Sequence, residues 1–89
     1  MFEWDEEKNK TNLAKHGISF EEAALIFEGR VFSWTDNRKD YGEARSISIG
    51  AISREVLVVV VHTSRHGKIR LISARLASER ERKVYHGDQ

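Results

Sequence analysis

The chain has 89 residues with no cysteine and no proline, and its 15 cations nearly balance 14 acids, for a formal charge of +1. That length suits one domain with a small core, the lack of cysteine excludes disulfides and thiolate metal ligands, and no apolar run approaches the roughly 20 residues of a membrane span. The acidic opening MFEWDEEKNK lacks the basic and then apolar order of a secretory signal, so a single cytoplasmic domain over 1–89 is expected.

FEWD reads as a possible short strand. Asp5 then makes a good N-cap, with Glu6 and Glu7 in the first turn, and Lys15, His16 and Gly17 supply C-terminal chemistry, which predicts a helix over about 6–16. Leu13 and Ala14 are nearly its only apolar residues, so it should lie on the surface, presenting Lys8, Asn12, Lys15 and His16. The next stretch, ISFEEAALIFEG, carries a capping box of Ser19 and Glu22 and ends at Gly29. Phe20, Ala23, Ala24 and Phe27 recur at helical spacing and predict a stripe packed on a sheet.

From Val31 the pattern changes to strands: VFSWT, ARSISIGAI, EVLVVVVHT and KIRLISAR, separated by TDNRKDYGE, SRE and SRHGK. Short successive connections predict an antiparallel meander. Val56–Val61 is apolar at both parities, as in a central strand, whereas Ser46 and Ser48 alternating with Ile47 and Ile49 suggest a one-sided neighbour. A last helix is expected over about 76–85. The fold class is therefore α+β: two N-terminal helices on a four-stranded, mainly antiparallel sheet, with a possible fifth N-terminal strand and a C-terminal helix. Trp4 and Trp34 are expected in the core or at an edge.

Charge is uneven along the chain. Residues 1–22 hold six acids against three lysines, while residues 65–83 hold seven cations against Glu79 and Glu81. A local basic patch can bind phosphate whatever the total charge, although a solvated helix face would look the same in sequence. The four histidines fall in different segments and no carboxylate joins them at ligand spacing, so no metal site or cofactor is expected. Nucleophile elbows and glycine-rich phosphate loops are absent too.

The remaining set of arginine, lysine and histidine suits cleavage of RNA by its own 2′-hydroxyl. That reaction needs a base, an acid and cations on the phosphorane. Arg70 and Arg75 are separated by an odd number of residues, so a regular strand would send them to opposite faces. A bulge near Ser73, or a position for Arg75 at the strand's end, would bring both to one site. The competing reading makes them structural, Arg70 paired with Glu55 and Arg75 with Glu79 or Glu81. His16 could equally be a helix-terminal cation, and Tyr85 an anchor for the last helix.

In order and spacing, FEWDEEKNKTNLAKHGISFEEA, DNRKDYGEARSISIG and VLVVVVHTSRHGKIRLISARLASERERKVY resemble the BrnT family of toxins over nearly the whole chain. The matching positions are Asp5, Lys8, Asn12, Lys15, His16 and Gly17, then Arg65, Arg70, Ser73, Arg75, Glu81 and Tyr85. The resemblance implies a fold similar to RelE-like ribonucleases and an endoribonuclease that inhibits translation. It also implies a BrnA-type antitoxin with a DNA-binding ribbon-helix-helix domain, in a hetero-oligomer that touches DNA only through the antitoxin. On this reading Arg70, Arg75, His16, Glu81 and Tyr85 are the catalytic candidates, and Lys8, Lys15, Arg65, Arg80, Arg82 and Lys83 contact RNA. The alternative is a non-catalytic module that grips an antitoxin and serves in transcriptional autoregulation, its basic segment making only phosphate contacts.

Overall fold

The computed structural model describes residues 1–87. In chain order it contains strand β1 (Phe2–Glu3), helix α1 (Glu6–His16), helix α2 (Phe20–Ala23) continuing into a 3-10 turn (Ala24–Glu28), strands β2 (Val31–Thr35), β3 (Ser46–Ala51), β4 (Leu57–Arg65) and β5 (Lys68–Leu76), and helix α3 (Glu79–Tyr85). The sheet order is β1-β5-β4-β3-β2. β2 to β5 form the expected antiparallel meander, and β1 adds a fifth strand, parallel to β5, with Phe2 opposite Ile69 and Glu3 opposite Arg70. The α+β architecture follows the sequence expectation with one strand more than the basic four.

Two hydrophobic layers sandwich the sheet. On one face Ile18, Phe20, Ala23, Ala24 and Ile26 pack against Val58, Val60, Leu71 and Ala74; on the other, Tyr85 of α3 packs with Ile47, Ile49, Leu57, Val59 and Val61. β4 is buried on both faces from Leu57 to Val61, as its unbroken apolar run requires. Each fully buried Ile or Phe contributes about 1.5–3 kcal/mol.

The second helix departs from the expected continuous span. After one α-helical turn it tightens to three residues per turn, so the buried row becomes Phe20, Ala23 and Ile26, each fully shielded from solvent, while Phe27 moves to the margin. Gly50 permits this approach: a Cβ there would stand 2.6 Å from the Ile26 Cβ. β3 is also more enclosed than its alternation implied. Ser48 is fully buried, its Oγ 2.7 Å from the Ser33 Oγ and 2.7 Å from His62 Nε2, and burial lowers the His62 pKa. The last helix starts at Glu79 rather than near 76, because β5 continues to Leu76 and Ser78 forms a capping box with Glu81.

α1 is held by amides rather than by an apolar stripe. Its buried residues are Asn9 and Asn12, while Leu13 is exposed. Asn12 Nδ2 donates to the Ala74 carbonyl at 2.8 Å and to the Ile18 carbonyl at 2.9 Å, and its Oδ1 accepts from the Ala74 N–H at 3.1 Å. β1 pairs with β5 only at Ile69 and Arg70, so Asn12 serves Ala74 as a strand would, closing an otherwise open edge. Asn9 Oδ1 accepts from the Phe20 N–H at 2.7 Å, tying α2 to α1.

Candidate active site on the β5 face

The strand β5 contains a bulge. Val61 stands opposite Ser73, but His62 stands opposite Leu71, which leaves Ile72 as the extra residue. Arg75 therefore faces Val59 and Arg70 faces Thr63, two positions of equal parity on the unbroken strand β4, so both arginines and Ser73 project from one face. That is the α3 face, opposite the one covered by α2 and the 3-10 turn, while α1 lies along the β5 edge.

Arg75 donates to Glu81 through both terminal nitrogens, each N–O distance being 2.8 Å, and to the Leu76 carbonyl at 3.3 Å. The guanidinium lowers the Glu81 pKa to about 2, and Glu81 in turn raises the Arg75 pKa against burial and the nearby charge of Arg38. Glu81 is also the acid of the capping box, so α3 supplies the group that orients Arg75. Arg70 pairs with Glu3 at 3.2 Å rather than with Glu55, because the N-terminal strand lies beside β5. Arg65 pairs with Glu43 at 2.9 Å. The basic run is thus partly neutralised by acids distant in sequence.

A cleft of about 300 Å³ lies between α1 and the bulge, lined by Glu7, Lys8, Thr11, Asn12, Lys15, His16, Ile72 and Ser73. It brings Lys8, Lys15 and His16 together, and Ser73 belongs both to this cleft and to the strand segment bounded by the two arginines. The α3 cations diverge: Arg80 lines a second groove with Phe32, Trp34, Ile49, Glu81 and Val84, Arg82 donates to the Glu55 carbonyl at 3.4 Å, and Lys83 is exposed. Tyr85 is buried; its hydroxyl donates to the Arg30 carbonyl at 2.9 Å, and the Arg30 guanidinium lies 4.2 Å above its ring.

Arg38 did not emerge from sequence reasoning. It grips Asp36 with two 2.8 Å hydrogen bonds, and the Asp36 side chain is fully buried while that of Arg38 is largely exposed. This pairing holds the Asp36 pKa well below the ordinary carboxylate range. The available signal was alternation, since Phe32, Trp34 and Asp36 share a parity that carries Asp36 onto the arginine face. Among the described residues, no group of three or more His, Asp or Glu side chains is arranged to hold a metal ion. No described helix is long and apolar enough to cross a membrane.

Residues 4–81 match the model of the family described as ribonuclease toxin, BrnT, of type II toxin-antitoxin system. No curated protein sequence matches the chain. The crystal structure of the Brucella abortus ribonuclease toxin BrnT is similar at a TM-score of 0.65 and 29% identity, covering 89% of this chain and 99% of that one. With the family pattern spanning most of the fold, from Trp4 to Glu81, the chain belongs to the BrnT family of ribonuclease toxins of type II toxin–antitoxin systems.

Proposed function

We propose that this toxin is a metal-independent endoribonuclease that inhibits translation by cutting RNA, using the β5 face as its phosphate site. The observation that carries this reading is the bulge at Ile72, which aligns Arg70, Ser73 and Arg75 on one face. The substrate 2′-oxygen attacks the adjacent phosphorus and gives its proton to a base. The bond from phosphorus to the 5′-oxygen breaks, and that oxygen takes a proton from an acid, leaving a 2′,3′-cyclic phosphate and a 5′-hydroxyl. Arg70 and Arg75 stabilise the phosphorane. A guanidinium has five N–H donors; Glu81 and Leu76 engage three of those on Arg75, which leaves two for phosphate.

Glu81, fully ionised near neutrality, orients Arg75 and is not the acid. His16 and Lys15, together in the cleft beside Ser73, handle protons, imidazole being the usual choice near neutral pH. Lys8 and Arg65 guide the RNA strand, with Arg80, Arg82 and Lys83 adding contacts from α3. Tyr85 anchors α3. The antitoxin that the family implies is of the BrnA ribbon-helix-helix type and occludes this face.

The test is incubation of purified protein with RNA, with and without chelator. Cleavage unaffected by chelator, products ending in 2′,3′-cyclic phosphate, and resistance of a 2′-deoxy site support the mechanism. Arg70→Ala or Arg75→Ala should lower kcat by about 10²–10³-fold, the cost of one transition-state donor. Loss of cleavage in chelator, restored by added metal, would sink it.

A further inference from the structure

From the pairing of the strands we infer that Trp34, with Phe32 beside it, forms a base-stacking subsite for the RNA whose phosphate sits on the β5 face; the inference rests on the function proposed above. Two cross-strand rows run over that face. Phe32 stands opposite Ile49, Ile49 opposite Val59 and Val59 opposite Arg75; Trp34 stands opposite Ile47, Ile47 opposite Val61 and Val61 opposite Ser73. The aromatic pair and the phosphate site are therefore opposite ends of the same two rows. Three strand steps separate them, about 14 Å at the usual ~4.8 Å between strands, within reach of a short oligonucleotide.

The aromatics are left open where the middle of the face is covered. Phe32 is 42% exposed and Trp34 38%, whereas Ile47, Ile49, Val59 and Val61 between them and β5 are buried. Their ring centroids lie 5.7 Å apart at a 55° tilt, bordering a groove of about 350 Å³ with Ile49, Arg80, Glu81 and Val84. Glu81 joins the two regions: its side chain lines the groove and holds Arg75. Arg80 on the groove wall supplies the charge complementary to a polyanion. Aromatic faces flanked by cations on a sheet are what single-stranded RNA uses for sequence-tolerant binding, and the site would take a nucleobase a few nucleotides along the strand from the scissile phosphate.

The probe is a short single-stranded RNA, 2′-O-methylated to block cleavage, beside a copy lacking one base. Trp34→Ala should weaken binding of the intact RNA by about 5- to 150-fold, the equivalent of the ~1–3 kcal/mol of one stacked base, and should weaken the matching abasic RNA far less. Trp34→Phe, which keeps a ring, should retain most of the affinity while losing RNA-induced quenching of tryptophan emission. An equal loss for intact and abasic RNA, or unchanged affinity for both, overturns the subsite. Unchanged RNA affinity with weakened antitoxin capture also overturns it and assigns the groove to the antitoxin. Cleavage by the wild type that is lost in Arg75→Ala upholds the proposed function independently. If the wild type neither binds nor cleaves RNA, that function falls and the subsite with it.

Discussion

Arg75 and Glu81 meet across the junction of β5 and α3 in a two-pronged ion pair, both N–O distances being 2.8 Å. One interaction thus ties the orientation of the proposed phosphate donor to the cap of the last helix.

The pair has a pH signature. The Glu81 pKa falls from its ordinary 4.5 to about 2 in the folded state, so its contribution to stability is present above 4.5 and lost as pH drops through about 2. Because the Arg75 side chain is 46% exposed, solvent screening limits that contribution to about 1 kcal/mol or less. Thermal melts of wild type and Glu81→Gln should differ at neutral pH and converge between pH 4.5 and 2. A constant gap would mean that the carboxylate charge is not the source.

Asn12→Ala should be among the most damaging polar substitutions. It removes three hydrogen bonds and strands the Ala74 and Ile18 backbone groups inside the protein, at a cost of about 3 to 5 kcal/mol. For a domain of this size that lowers Tm by well over ~10 °C. Asn12→Asp keeps the acceptor for the Ala74 N–H but turns a carboxylate oxygen toward two carbonyls, so its stability should recover as pH falls and the acid protonates. Denaturation curves at two pH values decide this.

Tyr85→Phe separates anchor from catalyst. Losing the hydrogen bond to the Arg30 carbonyl should cost about 1 kcal/mol and leave the cleavage rate per folded molecule unchanged. Loss of cleavage without a change in melting would return Tyr85 to the proton-handling group.

An antitoxin that silences the toxin by occlusion should slow hydrogen exchange over residues 65–85 and raise Tm with its concentration. Charge complementarity to this basic face calls for an acidic contacting segment, whose carboxylates must compete with Glu3, Glu43 and Glu81, which already hold Arg70, Arg65 and Arg75, so the complex should also weaken with salt. Protection confined to residues 18–30, on the far face of the sheet, would instead mean inhibition from the opposite side.

The sequence by itself determined the elements and their order. Asp5 and Gly17 bound α1 through an N-cap and a left-handed residue at φ 74°, and the apolar run of Val56–Val61 marks the central strand, because these are local chemistry and periodicity. The capping box of Ser78 and Glu81 was equally local and would have placed the start of α3. The candidate site was only half legible. A bulge near Ser73 was one way to bring Arg70 and Arg75 together, but whether it forms depends on the register of β4 against β5, a pairing between distant segments. Partners at long range decided the rest: Glu3 rather than Glu55 for Arg70, Asn12 for the open edge at Ala74, and Asp36 for Arg38. Hydrogen bonds and ion pairs between segments far apart in the chain leave no periodic trace in it, so only the tertiary structure revealed which charges are spent and which face is open.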